Sequence, residues 1–330
     1  MDIVYHRATM AELLLVTNLL HGAVALAWLA GLRRVLAPIP AGLWARLLAL
    51  VLVLPPFVTA ARLLASSDVT GDFQLLRVDR WAAPLLASDF ASALGLLLLA
   101  GTSLLFLLQE LRPVLARRSV QASAARLVDA ELEASYRAVR AKYDARGRAL
   151  RHCTRLRVRL LDTSAPTAAI EGFVDPVLLV SRGMRDRLDA HELEGVIAHE
   201  LAHLAQGGNR RFLWIWVMRA LQAPNPLALI VFRLLVEARE AAADALAAEV
   251  TGKPAVLASA LLKLRPSAAA VDREPGTLAR ARARVLRQAE LAATRLRVRT
   301  LLDGPGHAHA SRIVTTVSGV LLAGLLWTVA

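Results

Sequence analysis

Four apolar runs in this chain are long enough to cross a bilayer: Leu13–Leu32, Leu43–Leu64, Pro84–Leu108 and Ile313–Ala330. A span needs about 20 residues, and backbone in lipid must satisfy its own hydrogen bonds, so such runs are committed to helices. Composition agrees. Hydrophobic residues make up 56% of the 330, and the mean hydropathy of +0.47 is too high for a typical soluble domain. Arg46 and Arg62 sit near the ends of the second run, where long side chains reach the interface. Pro55 and Pro56 inside it predict a kink.

Charge orients the runs. Arg33, Arg34 and Arg46 lie between the first two with no acid beside them, and Arg112, Arg117, Arg118 and Arg126 follow the third. In the loop between the second and third, Arg62, Arg77 and Arg80 are matched by Asp68, Asp72 and Asp79. Basic residues mark the cytoplasmic side. This predicts a multi-pass membrane protein, with residues 1–110 forming three transmembrane helices. Residues 111–311 form a cytoplasmic domain, and 312–330 a fourth span. The net charge of +13 comes almost wholly from arginine; Lys142, Lys253 and Lys263 are the only lysines. With few aromatics to stack on bases, that charge reads as cytoplasmic surface facing membrane lipid, not as a nucleic-acid site. Cys153 stands alone, which excludes an internal disulfide and a thiolate metal cluster. The N-terminus has no cleavable signal pattern.

Within the interior region, Ser119–Arg146 reads as an amphipathic helix, with Val120, Leu127, Val139 and Tyr143 on one face and Gly147 as its stop. Arg155–Leu161 alternates charged and apolar residues and reads as an edge strand; Val177–Val180 reads as a second strand. Residues 212–236 are apolar but broken by Arg219 and APNP, too short in each half to span. They read equally as a hairpin against the membrane and as a buried core hairpin. Asp303–Arg312 is a linker, and its His307 and His309 read as solvent-exposed.

The stretch IAHELAHLAQGG begins at Ile197. Its helix has a marked start: Asp189 as cap, Glu192 completing a capping box, and Leu188 and Leu193 at the staple positions. Gly207 and Gly208 end it. His199 and His203 are four residues apart, about 40° around the axis, so both imidazoles leave one face. That suits two nitrogen ligands on one tetrahedral zinc. Glu200 is one position round, within reach of an attacking water but not easily of the metal, as a general base requires. The competing reading is a buried helix whose histidines only hydrogen-bond their neighbours.

A catalytic zinc wants a third protein ligand. Glu240 and Asp244, again four apart, lie in EAREAAADALAA. Glu240 is the candidate ligand, and Asp244 the candidate partner that fixes the tautomer of a ligand imidazole. The pair alone would fit a solvated helix face. His191 and Arg239 are the nearest candidates for oxyanion stabilisation.

Together these features resemble the BlaR1/MecR1-type integral-membrane metallopeptidases, peptidase family M56. The resemblance rests on order: three spans, GFVDPVLLVSRGM at Gly172–Met184, HELAH at 199–203, NPL at Asn225–Leu227, EAAAD at 240–244, and a last span. RVRTLL at Arg297–Leu302 is a weaker downstream match. HELAH with ExxxD is shared with the related M48 (Ste24/HtpX-like) peptidases.

The resemblance implies a mainly α membrane protein of about four transmembrane helices with a cytoplasmic α+β zincin-like (gluzincin) domain. It implies Zn2+ on His199, His203 and Glu240, with Glu200 as catalytic base and Asp244 behind the ligands. It further implies a zinc metalloendopeptidase cutting cytoplasmic proteins, with a winged-helix BlaI/MecI-type repressor as a possible partner and oligomers allowed. The antibiotic-sensing members carry an extracellular sensor after the last span, and this chain stops at Ala330. Two other readings stay open: an M48-like quality-control protease, and a signalling scaffold using the basic helices Ser119–Arg146 and Thr277–Leu302.

Overall fold

The structure, a computed structural model, describes residues 2–36, 39–65, 89–108, 126–147, 150, 156–265, 277–304 and 312–329. It divides into two compact units. Unit 1 comprises 1–121, 213–238 and 309–330; unit 2 comprises 122–212 and 239–308. Two of the four points where the chain passes from one unit to the other fall within helices, α7 (Gly208–Leu221) and α8 (Pro226–Thr251).

Unit 1 contains α1 (Asp2–Val35), α2 (Ala41–Ala65), α3 (Asp89–Phe106) and α11 (Arg312–Val329), which coincide with the four apolar runs. Among the described residues one helix, Ala41–Ala61, is long and apolar enough to cross a membrane; Ile313–Thr328 is apolar but shorter. Leucines and valines face outward on α3 and α11, with Leu97 at 70% and Val320 at 68% exposure.

The expected proline site in α2 is resolved by a side chain from elsewhere. Pro56 has no N–H, which deprives the Leu52 carbonyl of its helical donor. Gln222, in the turn between α7 and α8, donates its Nε2 to that carbonyl at 2.8 Å. Beside it, His21 Nδ1 meets Thr59 Oγ1 at 2.8 Å, and Gly22 faces Leu227 and Asn225. The NPL turn of residues 225–227 is therefore seated against α1. Of the two readings of 212–236, the hairpin packs with the apolar helices.

Unit 2 is an α+β domain. Its sheet has the order β1–β2–β4–β3, with β1 at Arg126–Leu127, β2 at Arg157–Leu161, β3 at Ala168–Glu171 and β4 at Val177–Ser181. Strand β2 is parallel to β4; the two flanking pairs are antiparallel. The sheet packs on α4 (Ala130–Ala145) and α6 (Ala190–Ala205), with α9 (Pro254–Lys263) and α10 (Thr277–Leu302) beyond, around Leu132, Tyr143, Val158, Leu178, Ile197 and Leu257.

Two sequence expectations need correction here. The helix expected from Ser119 begins at Ala130, capped by Asp129, whose side chain accepts from the Leu132 amide. Leu127 belongs to β1 instead; residues 119–125 lie outside the described residues. The segment expected as an edge strand is interior: β2 lies between β1 and β4. Its alternation is real, with Val158 and Leu160 buried and Arg157 exposed. Alternation reports that one face of a sheet meets solvent, and carries no information on which strand is at the edge. The linker histidines His307 and His309 also lie outside the described residues.

The GFVDPVLLVSRGM segment owes its two outer glycines to close backbone approach. Gly172 has φ +96°, and a Cβ there would meet the Asp175 carbonyl oxygen at 2.8 Å. At Gly183 a Cβ would lie 1.9 Å from the Ser164 carbonyl oxygen, because α5 (Arg182–Arg185) starts hard against that turn. Two outcomes follow. Gly183→Ala lowers the thermal midpoint or abolishes folding, since backbone must move. Gln222→Leu in detergent costs about 1–3 kcal/mol by leaving the Leu52 carbonyl unpaired. Thermal unfolding of the two variants checks both.

Candidate active site

Helix α6 is fixed before its histidines are reached. Asp189 accepts from the amides of His191 and Glu192, and Glu192 returns the contact to the Asp189 amide, forming the expected capping box. Glu192 is buried, and Lys263 and Ser259 of α9 both donate to it at 2.7 Å. On the other flank Tyr143 donates to the Ala198 carbonyl at 2.6 Å, and Lys142 pairs with Glu194.

From this helix His199 and His203 face each other, with their Nε2 atoms 3.2 Å apart. Glu240 on α8 closes the set: Oε2 lies 3.5 Å from His199 Nε2, and Oε1 lies 3.4 Å from His203 Nε2. Zinc–ligand bonds of about 2.0–2.1 Å in a tetrahedron place neighbouring donors roughly 3.3–3.4 Å apart. The two imidazole nitrogens agree with this within a few tenths of an ångström, and each has one of the two Glu240 oxygens at a similar distance. The donor chemistry, two imidazoles and one carboxylate, leaves a fourth position for water or substrate. These residues fit a zinc ion.

The opposite side of His199 meets Asp244, one turn after Glu240. Its Nδ1 is 2.9 Å from Asp244 Oδ1, a charge contact rather than an aligned hydrogen bond. Asp244 is in turn gripped by Arg297 of α10, Nε to Oδ2 at 2.6 Å and Nη2 to Oδ1 at 2.7 Å. The same guanidinium reaches Glu240 Oε2 with Nη1 at 3.3 Å. Arg297 is the site residue that sequence reasoning missed. Arg295, Arg297 and Arg299 form one basic series, and spacing alone does not single out the middle one; the RVRTLL match was the only pointer.

Glu200 is half-buried beside the Ile170 backbone of β3. Thr167 O accepts from Ser181 N, so residues 167, 169 and 171 turn toward β4, while 168 and 170 face the open edge. The edge beside the histidines is thus β3. Of the two oxyanion candidates, His191 lies on the first turn of α6, 3.0 Å from Lys253 Nζ, and Arg239 lies over the Phe212 ring at 4.7 Å. Neither makes a hydrogen bond to His199 or His203.

Burial and pairing set the charges. Burial opposes a proton on His199, but Asp244 and Glu240 outweigh it and raise its pKa to about 9. Burial also pushes Glu240 up, and the two imidazoles more than reverse this, holding it well below the usual carboxylate range. Asp244 is lowered: burial is offset by Arg297 first and His199 second. Glu200 moves the other way, raised mainly by burial. Without metal, His199 therefore carries a proton at neutral pH. A raised pKa stabilises the fold below the unfolded value of about 6.5 and loses that contribution as pH climbs through about 9. Metal-free protein is accordingly expected to lose thermal stability between pH 6.5 and 9, measured by scanning calorimetry in chelator, and bound zinc should remove that slope.

The family described as BlaR1 peptidase M56 matches residues 86–281. Curated relatives carry the name HtpX. Protease HtpX homolog 2 of Methanosarcina mazei is 30% identical over 155 residues, covering 36% of this chain and 51% of the relative. Protease HtpX homolog 1 of Streptomyces coelicolor is 32% identical over 121 residues, covering 27% and 40%. Protease HtpX of Legionella pneumophila is 29% identical over 143 residues, covering 33% and 51%. The chain spans about half the length, or less, of these relatives. The matched region takes in His199, Glu200, His203, Glu240 and Asp244, and stops short of Arg297. It covers more than half of the sequence, and on that basis the chain belongs to the BlaR1 peptidase M56 family.

Proposed function

We propose that this protein is a membrane-bound zinc metalloendopeptidase that cuts cytoplasmic protein substrates. The observation that carries the reading is the triangle of His199 Nε2, His203 Nε2 and Glu240, with Glu200 one residue along the same helix. His199, His203 and Glu240 would hold the zinc. Zinc there would supply Lewis acidity, polarising a scissile carbonyl and acidifying the attacking water.

The chain's own residues do the rest. Glu200, with its pKa raised by burial, takes the proton of the attacking water and returns it to the leaving amine. Asp244, 2.9 Å from His199 Nδ1, holds the ring with Nε2 toward the cluster. Arg297 keeps Asp244 ionised with its planar fork and ties it to Glu240 through the same guanidinium. An extended substrate would add to the open edge of β3.

A membrane setting is supported by the Ala41–Ala61 helix and the outward apolar faces of α3 and α11. Arginine in the loops supports four spans with the peptidase domain in the cytoplasm. A winged-helix BlaI/MecI-type repressor is the first substrate to try, since the family is that of BlaR1. The HtpX names of the curated relatives favour a second reading, quality control of damaged membrane proteins. Coexpression with each substrate class separates the two by which is cut.

Purified wild type is expected to hold about one zinc and to cleave an unstructured protein such as casein. Glu200→Gln should keep the metal and lose at least about 100-fold in rate. Arg297→Gln should weaken zinc about 10- to 100-fold, read by competition with a chelating dye. Zinc-free wild type, or a Glu200→Gln variant as active as wild type, would count against the proposal.

A further inference from the structure

The chain leaves unit 2 after Phe212 and re-enters it at Arg239. At these residues α7 and α8 each pass between a polar domain and a unit of apolar helices. Three arginines stand there on the unit 2 side. Arg210 and Arg211 are exposed in the first turn of α7, which holds no acid. Arg239 is half-buried, with its guanidinium carbon 4.7 Å from the centre of the Phe212 ring. Gly207 makes room for the Arg211 stem, since a Cβ there would meet its Cδ at 2.8 Å. Arg211 itself donates to a carbonyl, that of Gln206 at 3.4 Å. Among the described residues no carboxylate forms an ion pair with any of the three, and Glu240, beside Arg239, is turned to His199 and His203. Burial, and then the like charge of Arg211, push Arg239 down to about 10, with Glu240 offsetting part of this. It is still protonated at neutral pH. Like charges gathered without a counter-ion cost free energy, and an arriving anion removes that cost.

An apolar tip adjoins these cations. Between β3 and β4 the chain turns through residues 172–176, leaving Phe173 45% and Val174 87% exposed. Asn209, next to Arg210, donates its Nδ2 to the carbonyls of Ile170, at 2.7 Å, and Gly172, at 3.2 Å. That ties the turn to the start of α7, and Phe173, Asn209 and Arg210 line one open cleft. Asp175 is the exposed acid of the turn, so three cations against it leave the surface basic. Exposed apolar side chains beside arginines suit a lipid interface, where the first enter the headgroup region and the second meet phosphates. A soluble polyanion would answer the arginines and leave Phe173 and Val174 in water.

We infer that the start of α7 and the β3–β4 tip form a docking surface for anionic phospholipid. Arg210, Arg211 and Arg239 hold the headgroup phosphate, and Phe173 and Val174 enter the lipid beside it. The inference rests on the membrane reading of the protein. It gives the exposed tip of the GFVDP segment a role that the metal site does not use, and it steadies α8 one residue before Glu240.

The test is native mass spectrometry of the detergent-purified full chain with added phosphatidylglycerol or phosphatidylcholine. Each arginine at an anionic surface contributes about fivefold. Phosphatidylglycerol is expected to bind at least about tenfold tighter than phosphatidylcholine. Arg210→Gln with Arg211→Gln, both exposed changes checked for an unaltered melting curve, should remove that preference. Arg295→Gln with Arg299→Gln, exposed on α10, makes the same change in charge and should keep it. Val174→Asp should weaken phosphatidylglycerol about fivefold, while Val174→Lys should not weaken it. Inorganic phosphate in excess should fail to displace the lipid. Equal binding of the two lipids, as large a loss from the α10 pair as from the α7 pair, indifference to Val174→Asp, or full displacement by inorganic phosphate would overturn the inference. Washing membranes with alkaline carbonate separates the two proposals. A chain that stays in the membrane without lipid preference removes the docking surface alone. A chain that washes free and keeps the preference removes the membrane spans and leaves the docking surface standing.

Discussion

Everything at the centre of unit 2 depends on His199 being held between two carboxylates, Asp244 on Nδ1 and Glu240 on Nε2. Both come from α8, one turn apart, so a single helix sets both sides of the ring. Two acids close to each other would repel and drive one pKa up. Arg297 removes that conflict by bridging them. The result is a chain of alternating charge from α10 through α8 to α6, and its inner end presents two imidazole nitrogens and one carboxylate to a common point.

That arrangement explains why so much of the domain serves the position of one helix. The capping box at Asp189, the Glu192 contacts to Ser259 and Lys263, and the Tyr143 bond to the Ala198 carbonyl all fix α6. Small residues do the same on α8, where Ala242, Ala243 and Ala247 are nearly fully buried and let it pack closely. A shift of an ångström would spoil three donor distances at once, and catalytic groups tolerate little of that.

Local chemistry made the helices of the site legible in sequence. His199, His203 and Glu200 are set by 3.6 residues per turn, and the start of α6 by a capping box; neither needs tertiary information. The Glu240–Asp244 pair was readable as one helix face, though only the fold brings that face to the histidines. The sheet was read less well. Ala168–Glu171 is AAIE, with one β-branched residue, and is a strand because β4 pairs with it. Arg126–Leu127 is too short to leave a pattern. The arginines of β2 mark an open face, which looked like an open edge. Arg297 lies 53 residues from Asp244, and no periodicity links the two. The prolines of α2 predicted a broken backbone bond, while Gln222, which mends it, is visible only in three dimensions.

The most direct test of the central claim is X-ray absorption at the zinc edge on purified full chain. Zinc on His199, His203 and Glu240 would give about one zinc per chain with two imidazole shells and one carboxylate oxygen at roughly 2.0–2.2 Å. His199→Ala should remove one imidazole shell. Zinc held without imidazole scattering, or a chain that takes up no zinc at pH 8, would contradict it.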